Sequence, residues 1–236
     1  MPEFRASFIE RIERTPSVSS FRFRADAPVA FVPGQFAQLC FDEKDKANRS
    51  LNKYLSFSCA PGKDYLEFTK RLSGSDFSKC LLALKKDDRV WLKGPMGHVT
   101  LSEGTGKAGF LVGGIGITPV ISMLEHLSAQ RQDPDIVFLY ANMNDNDIAF
   151  LDELKGFERT LARLRLVHIV VNRILGDEKV FTGLIDKQFV LKQIPDYKER
   201  TLYIFGPPAM VKAMETICND LGCAPEKVKA ENFVGY

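Results

Sequence analysis

Residues 113 to 120 read GGIGITPV, between the apolar run GFLV and the periodic stretch ISMLEHL. A strand feeding a glycine turn that opens a helix presents unpaired backbone N–H groups and the positive helix end. The chemistry on offer is anion binding, with a phosphate as the natural guest. The stretch departs from the dinucleotide fingerprint G-x-G-x-x-G, because Gly114-Ile115-Gly116-Ile117-Thr118-Pro119 has proline where the third glycine would stand. Proline suits a first helical turn, where its missing N–H has no intrahelical partner. One such turn is a weak signal, since many glycine turns serve only to reach positive φ. A second one, Gly206-Pro207-Pro208-Ala209-Met210, follows the apolar run TLYIFG. Two backbone-rich turns at one sheet edge strengthen the phosphate reading over that of two tight connections.

The other chemistry-bearing residue types are less telling. Five cysteines, at 40, 59, 80, 218 and 223, include no C-x-x-C pair. An odd count spread over this length does not suggest a disulfide framework. Cys218 and Cys223 in ICNDLGC invite an iron-sulfur reading, but a cluster usually needs four thiolates and no others are near, so they are expected to be small core residues. His98, His126 and His168 are scattered, with His168 inside an apolar strand, and no metal constellation is visible. Nor does a nucleophile stand at recognisable spacing from a base.

Two kinds of element must position these turns. From residue 3 to about 102 the segments RASFIERIER, SSFRFRA, QFAQLCF, KYLSFSCA, DYLEFTKRL and DRVWLKG alternate or are β-branched, which predicts an antiparallel sheet or small barrel. SDFSKCLLALKKDD interrupts them at helical spacing. After the polar stretch near 102–109, the near-continuous apolar runs GFLVG, DIVFLYAN, RLVHIVVN and TLYIFG read as parallel strands buried on both faces. They alternate with helices expected in PVISMLEHLSAQ, NDIAFLDELKGFERTLAR, LIDKQFVLKQI and PPAMVKAMETICNDLG. The predicted fold is a β-barrel domain over 1–102, a linker over 103–108 and a doubly wound α/β domain over 109–236.

The 236 residues suffice to bury a core in either arrangement. Lys plus Arg (32) nearly balances Asp plus Glu (30), so no basic face announces nucleic acid. No apolar stretch approaches the length of a membrane span, and MPEFRASFIERIERT has no signal-peptide core, so a cytoplasmic protein is expected.

GGIGITPVISML, GPPAMVKAM and the earlier KYLSFS resemble, in order and spacing, the nicotinamide and flavin motifs of the ferredoxin-NADP reductase family, from VPGQFAQL to ENFVGY. That family places a flavin on the barrel through R-x-Y-S. The resemblance puts Lys53 for the arginine, Leu55 for the tyrosine and Ser56 for the serine, with Tyr54 as the aromatic if the register shifts by one. Lysine keeps the charge but loses the bidentate fork. A second flavin segment implies Phe68, Lys70 and the turn Gly74-Ser75-Asp76-Phe77-Ser78, with either Ser75 or Ser78 as the helix cap or phosphate contact. Gly114, Gly116, Thr118 and Pro119 would line the nicotinamide nucleotide, and Gly206, Pro207 and Met210 would face them.

The same resemblance makes Glu231, Phe233 and Tyr236 candidates beside the flavin, or else a last strand KVKAENFV with a frayed tail. Ser56, Glu231 and Tyr236 are the expected catalytic residues. Phe205 stands where many relatives carry cysteine. Asn172, Arg173 and Lys179 match the segment that holds a 2′-phosphate, whereas Met143 and the run Asn144-Asp145-Asn146-Asp147 argue against one. Both nucleotides are therefore expected to work.

The function implied is an FAD-dependent oxidoreductase that moves hydride between NADPH or NADH and flavin. A separate one-electron carrier, such as a ferredoxin-type iron-sulfur protein or flavodoxin, would take the electrons. Two alternatives stand beside it: a reductase of free flavins and an electron-transfer subunit of a larger complex.

Overall fold

The computed structural model describes residues 2–101, 104–175 and 180–233. Two compact units are present. One comprises the residues up to Leu101 together with Thr118–His126, and the other takes the stretches up to Ile117 and from Leu127 onward.

The first unit contains β1 (Glu3–Thr15), β2 (Val18–Ala25), β3 (Phe36–Cys40), β4 (Asn52–Ser56), β5 (Leu66–Arg71), α1 (Asp76–Ala83) and β6 (Arg89–Met96). The strands form one antiparallel sheet in the order β4-β3-β6-β1-β2-β5. Its two edges meet at an antiparallel bridge between Phe57 and Phe68, which gives the sheet its barrel character. Alternation along the strands sends Phe8, Phe21, Phe23, Phe57 and Phe68 inward. Each buried phenylalanine contributes roughly 1.5–3 kcal/mol relative to exposure. Phe57 stacks on Phe31 at 4.0 Å between ring centroids and tilts against Phe68 at 5.1 Å.

The opposite face of β5 buries charge. Glu67 accepts from Arg14 at 3.1 Å and from Arg22 at 2.8 Å. Ser58 joins it at 3.3 Å and meets Thr69 at 2.7 Å, while Thr69 meets Ser20 at 2.7 Å. Two guanidinium groups and a hydroxyl relay thus satisfy a carboxylate that would otherwise be costly to bury.

The second unit is built on a six-stranded parallel sheet of β7 (Lys107–Gly113), β8 (Asp135–Asn144), β9 (Leu164–Asn172), β10 (Phe181–Thr182), β11 (Thr201–Gly206) and β12 (Val228–Asn232), ordered β10-β9-β8-β7-β11-β12. The helices are α2 (Thr118–Ala129, its first turns grouped with the barrel unit), α3 (Leu151–Thr160), α4 (Lys187–Gln193) and α5 (Pro208–Asp220). Strand order runs outward from β7 to β10 and then returns to β11, so the topological switch lies between β7 and β11. The glycine turns GGIG and GPP leave the carboxyl ends of those two strands, where open α/β sheets take ligands. At the amino end, buried Arg200 ties Asp196 and Asp135 together and donates to the Ala108 carbonyl at 3.1 Å. Its guanidinium holds the Asp196 carboxyl down at about 2.

The fold class agrees with the sequence reading, and two elements differ from it. The helix expected across NDIAFLDELKGFERTLAR is shorter: residues Asp145–Asp147 form a 3₁₀ turn, Phe150 takes φ 61°, and the α-helix begins at Leu151. The cause is tertiary. Asp145 is buried, and its carboxylate accepts the backbone N–H groups of Ile174 at 2.9 Å and Leu175 at 2.7 Å, so it cannot serve a helix of its own. The two-residue edge strand β10 was not expected, being too short for a periodic signal.

Candidate functional site

On the barrel unit the candidate flavin residues come from β4, β5 and the start of α1. Along β4, Asn52 and Ser56 are buried, Lys53 and Leu55 are half-buried and Tyr54 is 62% exposed. Leu55 packs against the barrel core, while Tyr54 leans edge-on against Phe36 at 5.8 Å. The pleat therefore keeps Tyr54 on the other face, and Leu55 stays the residue at the aromatic position of the motif.

On β5, Lys70 is only 5% exposed. Its Nζ donates to the neighbouring Arg71 carbonyl at 3.1 Å and forms no ion pair among the described residues. Burial, and then the charge of Lys53, pull its ammonium below the ordinary lysine value. A buried cation facing a second cation calls for an anion, so these residues fit the diphosphate of FAD. Phe68, in contrast, is fully buried between Phe23 and Phe57. Its side chain is part of the barrel core.

The α1 start resolves the two serines. Ser75 is the N-cap, its Oγ accepting from the Ser78 N–H at 3.3 Å. Ser78 is fully buried, and its Oγ takes the Ser73 N–H at 3.2 Å. Ser78 thus holds the loop in shape, and Gly74 and Asp76 are the exposed members of the turn, with Ser75 half-buried. A Cβ at Gly74 would meet nothing within 4 Å.

In the α/β unit the two glycine turns pack against each other. A Cβ on Gly116 would lie 2.6 Å from the Phe205 carbonyl oxygen, and one on Gly113 would lie 2.2 Å from Met210 Sδ. Gly116 is thus required by the end of β11, whatever the turn binds. Between Gly113 and Val120 only Gly114 is not buried; it takes φ 52°, and a Cβ there would meet open space. Gly116, Thr118 and Pro119 are each buried. Tyr140 braces the turn by donating to the Gly114 carbonyl at 3.2 Å.

Glu231 pairs in register with Phe205, and the Phe233 N–H donates to the Gly206 carbonyl at 2.9 Å. Burial alone pushes the Glu231 carboxyl up to about 7. Phe233 meets Phe205 edge-on at 6.5 Å. The structure thus brings Glu231, Phe233, Gly206 and the GGIG turn to one sheet edge. Tyr236 and Lys179 lie outside the described residues.

At the far end of β9, Asn172 and Arg173 are exposed, and the Arg173 guanidinium donates to the Val180 carbonyl. The acidic run that argued against a 2′-phosphate is partly occupied. Asp145 anchors the loop after β9, and Asp147 accepts from Asn144 at 3.1 Å. Sequence reasoning missed Asn142. It is 6% exposed, neither its oxygen nor its nitrogen has a partner among the described residues, and it follows Ala141, which pairs with Gly113. The signal was available, since an amide following the apolar run from Ile136 to Ala141 and buried with it is unusual.

Residues 110–216 match the family model described as the oxidoreductase NAD-binding domain. The chain is 28% identical to a flavohemoprotein of Bacillus subtilis over 239 residues, covering 98% of this chain and 59% of that protein. It is 29% identical to a glycine betaine monooxygenase reductase subunit of Chromohalobacter salexigens over 236 residues, covering 95% and 62%. The chain thus spans about three-fifths of the length of these curated relatives.

Among solved structures, the FAD/NAD binding domain of nitric oxide dioxygenase from Vibrio cholerae superposes with a TM-score of 0.85 at 19% identity, covering 98% of each chain. The ferredoxin-NADP+ reductase of Plasmodium falciparum does so with a TM-score of 0.78 at 17% identity, covering 98% and 96%. Residues 110–216 are therefore similar to the oxidoreductase NAD-binding domain, in a chain that has the two-domain fold of ferredoxin-NADP reductase-like proteins.

Proposed function

We propose that this chain is an FAD-dependent NAD(P)H oxidoreductase that delivers electrons to a separate one-electron carrier, an iron-sulfur protein or flavodoxin. The observation that carries the reading is the buried Lys70 ammonium, which has no carboxylate partner among the described residues and suits a diphosphate. The Asn142 amide beside the glycine turn, without a partner among the described residues, supports a hydrogen-bonding guest on the α/β unit. In this reading residues 1–102 serve the flavin, 109–236 serve the nucleotide, and the protein works in the cytoplasm. No helix among the described residues is long and apolar enough to cross a membrane.

FAD supplies two-electron acceptance from a nicotinamide and one-electron release to a carrier. The chain's own residues hold, orient and protonate. Lys70 and Lys53 would neutralise the diphosphate, Gly74 would offer a backbone N–H, and Leu55 would cover the ring without stacking on it. On the barrel unit Ser56 would hydrogen-bond the flavin, and on the α/β unit Glu231, poised near neutrality, would hold or give up a proton. A nicotinamide nucleotide is received at the β7 and β11 turns.

The test is a visible spectrum of the purified chain followed by anaerobic titration with NADH and NADPH. Flavin absorbance bleached by either nucleotide supports the reading, and a colourless chain that neither binds added FAD nor oxidises nucleotide overturns it. A second reading, reduction of free flavin as substrate, is favoured by the weak ring cover that Leu55 gives with Tyr54 turned away. It predicts bleaching only when flavin is supplied in excess.

Nucleotide choice gives a further expectation. With Arg173 as the cation opposite a 2′-phosphate, Arg173→Ala should lower kcat/KM for NADPH by roughly tenfold, about 1.4 kcal/mol, and leave NADH use unchanged. Equal losses for both nucleotides would remove Arg173 from that role.

A further inference from the structure

Helix α5 ends in a left-handed turn. Gly222 takes φ 69°, its N–H donates to the Asn219 carbonyl at 2.9 Å, and the Cys223 N–H donates to the Cys218 carbonyl at 3.0 Å. This pair of bonds closes a helix by the Schellman arrangement, in which the side chains flanking the turn come together, usually as an apolar contact. Here both of those side chains are thiols. Cys218 is 1% exposed within the core of the α/β unit, Cys223 is half-buried at its margin, and each thiol perturbs the ionisation of the other. A short backbone bond between the same two residues keeps their α-carbons within the separation that a disulfide spans.

We propose that Cys218 and Cys223 form a reversible intrachain disulfide, making the end of α5 a redox-modification site for small soluble disulfides such as oxidised glutathione. Cys223, the accessible member, gives its proton to solvent. Its sulfur attacks one sulfur of oxidised glutathione, breaking that S–S bond and releasing one glutathione thiolate. The Cys218 sulfur, on losing its proton, attacks the Cys223 sulfur of the mixed disulfide and releases the second glutathione. Two protein thiols are oxidised, one glutathione disulfide is reduced, and the two protons end on the two glutathione thiols.

The groups around the pair set its rate. Burial raises Cys218 to about 12 and also raises Cys223, Glu215 adds negative charge near Cys218, and Lys198 favours the Cys223 thiolate. Thiolate is therefore scarce at neutrality, and oxidation accelerates as pH rises. The bond would fix the left-handed turn from which the chain passes through Pro225–Lys227 into β12.

The test uses the full chain treated with oxidised glutathione at about pH 8, where thiol exchange is faster, and read by intact mass and peptide mapping. Wild type is expected to lose two hydrogens within the peptide that contains both cysteines, retain no glutathione, and recover fully with dithiothreitol. Cys218→Ala, checked by circular dichroism for retention of fold, is expected to accumulate one stable glutathione adduct on Cys223. Cys223→Ser is expected to leave Cys218 unmodified. A persistent glutathione adduct on wild-type Cys223, unreacted thiols after prolonged exposure, or a disulfide mapping to Cys40, Cys59 or Cys80 would each overturn the proposal.

Discussion

Lys70→Met is expected to strip flavin from the purified chain while leaving the apoprotein at least as stable as before. The two effects have opposite signs because the lysine sits in a place that suits it only when an anion is present. Its ammonium is buried, bonds to the Arg71 carbonyl and faces the charge of Lys53. Methionine fills a similar volume without a charge, so the apoprotein sheds a desolvation cost. The lost charge-assisted hydrogen bond to a diphosphate amounts to about 1.5–3 kcal/mol, roughly ten- to hundredfold in Kd.

A pH signature accompanies this change. The folded pKa of Lys70 lies below its unfolded value, so the unfolded chain holds more protons and wild-type apoprotein gains stability as pH climbs into the window just below 10.5. The variant should lose that gain. Titration of apoprotein with FAD by fluorescence quenching, paired with melting curves across that window, measures both effects. Unchanged FAD affinity together with a lower melting point would make Lys70 a structural residue and remove the main support for a flavin on this unit.

What the sequence disclosed and what it hid follow from the range of the interactions. Alternation over neighbouring residues was enough to draw β1 to β6 and to place Tyr54 and Leu55 on opposite faces, because a pleat is local. Near-continuous apolar runs likewise marked β7, β8, β9 and β11 as strands covered on both sides. Gly116 looked like a residue that admits a ligand, yet its reason is the Phe205 carbonyl, a partner far along the chain that no spacing rule reaches. Asp145 looked like a charge that would repel phosphate, but it caps two backbone N–H groups of the loop after β9. Phe68 matched a flavin motif, whereas the bridge to Phe57 turns it into the barrel. The cysteines of ICNDLGC were legible as core residues. Only the turn at Gly222 shows that they meet.

Glu231→Gln is expected to flatten the dependence of stability on pH between about 4.5 and 7, and to raise the melting temperature on the alkaline side of that window. Burial lifts the Glu231 carboxyl from 4.5 to about 7. A raised folded value means that the folded state holds its proton more tightly than the unfolded one. Its contribution is therefore fully present below 4.5 and is lost as pH rises through 7. The separation corresponds to about 3 kcal/mol for a fully shielded carboxyl, and solvent screening of a side chain that is not fully buried lowers this to ~2 kcal/mol. Glutamine keeps the shape and stays neutral, so at about pH 8 the variant should melt some 4–8 °C higher.

The same substitution separates structure from chemistry. If the carboxyl exchanges a proton with the reacting flavin, the rate of flavin reduction by nicotinamide nucleotide should show an inflection near 7 in wild type and none in the variant. The two measurements have different owners: melting reports the burial of the group, and the reduction profile reports its use. Parallel melting profiles in the two proteins would show that Glu231 ionises at its ordinary value. Divergent melting with identical reduction profiles would confine Glu231 to the packing of β12 against β11.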